Sequence, residues 1–230
     1  IHLPPVKIAL TGSGRVGKGA REVLDATGVK AVTTQEFLYN TFDFPVYVPL
    51  SSGDYHRHKE GKPFDRKEFH QHPERYTSDF LKLAHAADML IAGAYWNPQA
   101  PKLFTREDML HPSFRIRVIA DISCDIDGSI PSTKRASLVN DPIYDYDAQI
   151  DSLQTPLSGE QFVTVMAIDN LPCELPRSAS EDFGRDLIDK VLPSLLNEDS
   201  EGMIERGTMT RNGELMREFM YLKEYAESGA

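Results

Sequence analysis

Val6-Lys-Ile-Ala-Leu10 is a short β-rich run that leads through Thr11 into Gly12-Ser-Gly-Arg-Val-Gly17. Lys18-Gly-Ala-Arg-Glu-Val-Leu-Asp-Ala26 follows directly, with Val16, Ala20, Val23 and Leu24 at helical spacing. Gly28 stands where a helix C-cap glycine belongs, and Lys30-Ala-Val32 reads as a second strand. Strand, glycine turn, helix and strand in this order open a βαβ unit. Gly12, Gly14 and Gly17 complete a G-x-G-x-x-G. The first glycine permits the tight turn, the second lets a pyrophosphate approach the backbone, and the third brings helix and strand close together. Gly12, Ser13, Gly14, Arg15, Val16 and Gly17 are therefore the candidate cofactor-binding residues. The same turn in another doubly wound fold, a methyltransferase among them, is the competing reading.

An acidic residue is expected at the end of the second strand of such a unit, where it bonds a ribose hydroxyl. Here Val32-Thr33-Thr34-Gln35 occupies that stretch, and Glu36 lies slightly beyond it. A carboxylate would repel a ribose 2′-phosphate, so its absence favours NADP, with NAD as the alternative. Arg15 is placed to meet such a phosphate.

Further along, Met89–Gly93, Val118–Asp121 and Phe162–Ile168 read as buried strands. Tyr76–Ala87 and Thr105–Leu110 read as helices, the latter capped by Thr105. Residues 40–80 look like a long excursion from the core, and Asp141–Gly159 like loop. The alternation predicts α/β architecture, a doubly wound Rossmann-like parallel sheet with a C-terminal helical extension. Residues 1–176 would form the dinucleotide-binding domain and 177–230 a C-terminal segment. Within that segment a helix is expected over Glu181–Leu196, capped by Ser178 or Ser180. A strand over Met203–Met209 and a last helix over Glu214–Ala226 complete it.

The 230 residues are 40% hydrophobic and 26% charged, which excludes disordered and fibrous classes. A net charge of −10 repels nucleic-acid backbones and anionic lipid, although a local pocket can still be basic. Cys124 and Cys173 give no disulfide framework and lack a partnering histidine, which suits a reducing cytoplasm and inert thiols. No apolar run is long enough for a bilayer, and no signal-peptide pattern opens the chain. The sequence begins at Ile1 rather than Met, as a piece of a longer protein would.

His56, His58, His70 and His72 form two H-x-H pairs, a spacing that zinc can use. Cysteine and carboxylate ligands at matching spacing are missing, so packing histidines are expected and no metal site is assigned. Asp121 and Asp169 each end an apolar strand, where α/β sheets present ligand contacts. A turn or helix cap is the plain alternative for either.

Several blocks together resemble the lysine-ketoglutarate reductase type of the saccharopine dehydrogenase family. They are Phe64-Asp-Arg-Lys-Glu-Phe-His-Gln-His-Pro-Glu-Arg-Tyr76, Gly93-Ala-Tyr-Trp96, Asp121-Ile-Ser-Cys-Asp-Ile-Asp-Gly-Ser-Ile130 and Ile168-Asp-Asn-Leu-Pro-Cys-Glu-Leu-Pro176, the last followed by Phe183-Gly184. The resemblance runs from Val6 to about Tyr225, and alanine dehydrogenase is a more distant member of the same group. It implies two Rossmann-like domains with a cleft between them, and reduction, by a nicotinamide cofactor, of the imine formed from lysine and 2-oxoglutarate. NADPH is the cofactor of that reductase type. The resemblance further implies that Tyr95, Ile122 and Ser123 lie near the cofactor and that Asp169 is the active-site aspartate. The family's N-terminal domain, with its acid–base lysine and histidine, has no counterpart before Val6. Residues 177–230 would pack on such a domain. An alanine-dehydrogenase-like enzyme and a non-catalytic nucleotide-binding module are the alternatives. The expected partners are small amino-acid and 2-oxo-acid substrates, with a homo-oligomer left open.

Overall fold

The computed structural model describes residues 3–228. The chain divides after Leu171 into two compact units. The first opens with β1 (Lys7–Thr11), α1 (Arg15–Ala26), β2 (Lys30–Ala31), α2 (Thr34–Tyr39) and β3 (Val46–Leu50). It continues with α3 (Ser52–Tyr55), β4 (His56–His58), α4 (Arg66–Gln71), β5 (Tyr76–Ser78) and α5 (Leu81–Ala84). Then come β6 (Met89–Ala92), α6 (Arg106–Met109), β7 (Val118–Asp121), β8 (Ile143–Asp147), β9 (Ser152–Gln154) and β10 (Val163–Met166).

The strands of the main sheet lie in the order β2-β3-β1-β6-β7-β10-β8-β9. Every pairing from β2 to β10 is parallel, while β8 and β9 extend the far edge antiparallel. This is the doubly wound α/β sheet expected. From β1 the chain first builds outward on one side, then returns to β6 on the other, so the topological switch lies between β1 and β6. In such sheets ligands bind in the crevice beyond the strand carboxyl ends at that point.

Several sequence expectations are corrected. Val46–Leu50 is no excursion: it pairs with β1 from Lys7↔Val46 to Thr11↔Leu50. β2 pairs with β3 and is thereby the outermost strand on that side. Ile143–Asp147 and Ser152–Gln154 are strands rather than loop, with Tyr144, Asp145 and Tyr146 buried. The buried Asp145 carboxylate accepts hydrogen bonds from Thr164 Oγ1 (2.7 Å) and the Ser158 amide (2.8 Å), which offsets its desolvation. Tyr76–Ser78 is a strand, and only Leu81–Ala84 of the expected helix forms. On α1 the buried face is Gly17 and Leu24, with Val16 and Val23 exposed. Leu24 joins Ile8, Leu10, Val29 and Tyr47 in one apolar cluster.

The segment between α3 and α5 is built on an aromatic knot. β4 and β5 pair antiparallel, and His56 and His58 are buried there. The His56 ring lies 4.5 Å from that of Phe69, and His58 meets Tyr76 edge-on at 5.1 Å. His56 Nδ1 stands 3.0 Å from the Ser52 carbonyl. Burial lowers the His56 pKa to about 4, against an opposing pull from that carbonyl.

The second unit carries α7 (Pro176–Asp186), a π-helical stretch Leu187–Val191, α8 (Leu192–Leu196) and α9 (Met203–Gly207). α7 starts earlier than expected because Pro176 takes the first helical position, where its missing N–H costs nothing. Met203–Gly207 is helix, not strand. The expected last helix is instead β12 (Glu214–Leu215), paired with β11 (Thr210–Arg211), then a 3₁₀ stretch Arg217–Leu222 and α10 (Lys223–Glu227). Phe183, Ile188 and Leu196 are exposed. Among the described residues no helix is long and apolar enough to cross a membrane.

Two outcomes follow for stability. Gly17→Ala would set its Cβ 1.9 Å from the Gly12 carbonyl oxygen and should cost about 2 kcal/mol or more in urea unfolding. Gly19→Ala, on the same helix with open space around it, should instead gain roughly 0.5–1 kcal/mol. Equal effects would contradict the packing described. The second outcome concerns His56, whose pKa is lower in the folded chain than in the unfolded one. Its contribution is complete above pH 6.5 and is lost as pH falls toward about 4, a change of the order of 3 kcal/mol. Unfolding measured across that window should show His56→Phe with the shallower acid loss, and identical slopes would exclude the assignment.

Candidate functional site

The turn after β1 is shaped by backbone contact. Gly12 has φ +107°, and a Cβ there would stand 2.6 Å from the Gly93 carbonyl oxygen beyond β6. Its amide donates to the Leu50 carbonyl at 3.0 Å, tying the turn to β3. Gly17 packs on Gly12 as described above. Gly14 differs from both: a Cβ on it would meet nothing within 4 Å. It is the N-cap residue of α1, with no side chain capping the helix. The first-turn amides of α1 thus face an open approach, the arrangement that favours an anion.

A cavity of about 440 Å³ lies over this turn. Gly12, Ser13, Gly14, Arg15, Val16, Tyr95, Ile122 and Ser123 line it, which brings eight of the sequence-predicted site residues together from β1, β6 and β7. Gly17 is buried behind them. Asp169 does not line this cavity. It is exposed in the turn after β10, one strand beyond β7 on the same carboxyl edge.

Asp121 is 1% exposed and holds the β7 end of the site in shape. One carboxylate oxygen accepts from the Ser123 amide (3.1 Å), Ser123 Oγ (2.6 Å) and the Cys124 amide (3.3 Å). The other accepts from Thr133 Oγ1 at 2.7 Å. A buried carboxylate so fully bonded is a scaffold for the Ile122–Ser123 wall. Burial, joined by the charge of Asp121, pushes the Asp125 carboxyl up. Burial and the charges of Asp121, Asp169 and Asp125 push up the Cys124 thiol, whose sulfur donates to the Ala167 carbonyl.

Ser52, Arg66, His70, Gly93, Ala94 and Asp125 also line the cavity and escaped the sequence reading. Gly93 and Asp125 carried a signal, since they follow strands that were recognised. Arg66 and His70 lie in the resembling block Phe64–Tyr76, but nothing in that block marked them as site residues, because only the fold of the segment after α3 brings them here. The ribose-reading position is corrected as well. β3, not β2, neighbours β1, so the relevant residues are Ser51 and Ser52 rather than Val32–Gln35. The nearest acid along the chain, Asp54, accepts from the Ser51 amide and hydroxyl, both at 2.7 Å, and does not line the cavity. Glu36 closes a capping box with Thr33. Two arginines and one carboxylate, Asp125, line this cavity, in a chain of net charge −10. Among the described residues no cluster of three metal-ligating side chains occurs.

No protein-family model matches the chain. It is 30% identical over 254 residues to the mitochondrial alpha-aminoadipic semialdehyde synthase of Mus musculus, covering 97% of this chain and 27% of that protein. The alpha-aminoadipic semialdehyde synthase of Arabidopsis thaliana is 28% identical over 248 residues, covering 97% and 23%. An NAD(+), L-lysine-forming saccharopine dehydrogenase of Neurospora crassa is 31% identical over 113 residues, covering 48% of this chain and 27% of that enzyme. The chain spans about a quarter of the length of the curated relatives it matches. A solved L-alanine dehydrogenase is 14% identical with a TM-score of 0.48, covering 97% of this chain and 54% of that one. The relatives are thus aminoadipic semialdehyde synthases and saccharopine dehydrogenases, the proteins that the chain's own motifs resemble.

Proposed function

We infer that this chain holds the cofactor of an NAD(P)-dependent oxidoreductase acting at a C–N bond. The reaction joins lysine and 2-oxoglutarate into saccharopine, or runs in reverse. The observation that carries the reading is the open face of Gly14 at the N-terminus of α1, beneath a cavity walled by β1, β6 and β7. Bound there, a nicotinamide dinucleotide supplies or accepts the two electrons that interconvert C=N and C–N bonds.

The chain's own residues bind and orient. The amides from Gly14 onward take the pyrophosphate, with Arg15 beside it. Gly12 and Gly17 keep strand and helix close enough for that approach. Tyr95 stands toward the adenosine side, and Ile122 and Ser123, held by Asp121, wall the nicotinamide side. Asp169 is exposed on the same edge, where an acid can hold a substrate amine and its proton. NADP is favoured over NAD, because Ser51 and Ser52 occupy the position where a carboxylate would repel a 2′-phosphate. In this reading residues 1–176 are the cofactor-binding domain and 177–230 a separate segment. The free thiols Cys124 and Cys173 suit a reducing compartment such as cytoplasm.

Calorimetric titration of the chain with NADPH and NADH tests the binding reading, and NADPH should bind more tightly. In the natural full-length protein, assayed with lysine plus 2-oxoglutarate, Asp169→Asn should lower kcat at least about tenfold, near 1.4 kcal/mol, with cofactor affinity unchanged. Full turnover by that variant would remove Asp169 from the site.

A further inference from the structure

A second, more enclosed cavity of about 120 Å³ opens beside the first. Its walls include Tyr55, Phe69, Trp96 and Leu103. At about 120 Å³ it is smaller than the engineered cavities of about 150 Å³ that admit a benzene ring, so a larger ring system would lie partly in it and partly in the adjoining cavity. Thr11 and His56 also line it, and they are 1% and 7% exposed. Thr11 Oγ1 and His56 Nε2 have no hydrogen-bond partner among the described residues. An unpartnered buried polar atom costs about 1–3 kcal/mol, so two of them around one recess point to a ligand that carries its own hydrogen-bonding groups on a flat ring.

Ser52, His70, Ala94 and Tyr95 line both cavities and so mark where they meet. Arg66 lies one helical turn before His70 on α4, a spacing that puts both on one face. Its guanidinium has no ion-pair partner among the described residues. Its neighbours on the same segment do: Arg57 pairs with Asp79 and Arg75 with Glu68. An unpaired arginine lining a cavity in an acidic chain is a receptor for an anion.

We propose that adenine reaches from the first cavity into the inner recess toward His56 and Thr11, and that the ribose sits at the junction, where Arg66, His70 and Ser52 take up its 2′-phosphate. The proposal rests on the dinucleotide reading above and names the residues that set cofactor choice. Arg66 supplies a fixed charge and a two-pronged donor, His70 a ring nitrogen, and Ser52 a hydroxyl without the repulsion of a carboxylate.

The test is affinity for NADPH and NADH measured side by side on the wild-type chain, Arg66→Ala and Ser52→Asp, with thermal melts to establish folding. Arg66→Ala should weaken NADPH at least about tenfold, the scale of one charge-assisted contact, and change NADH less than about threefold. Ser52→Asp should reverse the preference toward NADH. Equal weakening of both cofactors by Arg66→Ala, or no weakening of either, overturns the proposal while leaving dinucleotide binding intact. A wild-type chain that binds neither cofactor overturns the dinucleotide reading and this proposal with it.

Discussion

Three backbone segments converge beyond the carboxyl end of β1, and the contact depends on their having no side chains there. A Cβ on Gly17 would stand 1.9 Å from the Gly12 carbonyl oxygen, and one on Gly12 would stand 2.6 Å from that of Gly93. One on Gly93 would meet the Thr11 carbonyl oxygen at 3.1 Å. This approach draws the start of α1 down onto the switch between β1 and β6. The uncapped amides of the helix and the open face of Gly14 then look into the crevice that the sheet topology creates. The rest of the site is arranged around that point, with the start of α3 supplying Ser52, the turn after β7 supplying Ile122 and Ser123, and α4 supplying Arg66 and His70.

Charge distribution works in the same direction. A chain with ten more acids than bases would repel a dinucleotide phosphate if its acids were spread evenly. Around the cavity they are not. Asp54 is turned into the cap of its own short helix, Asp121 is saturated by four hydrogen bonds behind the wall, and Arg15 and Arg66 share the cavity with a single carboxylate, Asp125, neither arginine forming an ion pair among the described residues. The acidic surplus and the basic site coexist because the fold spends Asp54 and Asp121 on capping and scaffolding and leaves two arginines against Asp125 in the lining.

The part of this arrangement that was legible in the sequence is the part carried by contiguous residues. The glycine turn, the strands Met89–Ala92, Val118–Asp121 and Val163–Met166, and the Thr105 cap all follow from local patterning. β3 was missed because Pro49 sits inside a central strand, opposite Leu10, where a lost amide donor argues against sheet. β8 was missed because Asp145 and Asp147 break an apolar run, and only tertiary partners such as Thr164 make the buried Asp145 tolerable. Because β3 neighbours β1, the ribose position falls at the end of β3 rather than β2, and Ser51 and Ser52 there are no more acidic than Val32–Gln35. Arg66 and His70 lie far from Gly12 along the chain, in a polar stretch with no periodic signal. Their nearness to the glycine turn is a product of the aromatic knot of His56, Phe69 and Tyr76, which no local pattern announces.

The central claim is that a pyrophosphate settles on the backbone at Gly14. Amide chemical-shift mapping of the ¹⁵N-labelled chain during addition of NADPH tests it most directly. The account expects saturable shifts concentrated at Gly12, Gly14, Arg15 and Gly93, with those of β8 and β9 unmoved. Saturable binding whose shifts fall elsewhere and leave the amides from Gly12 to Val16 untouched would contradict it.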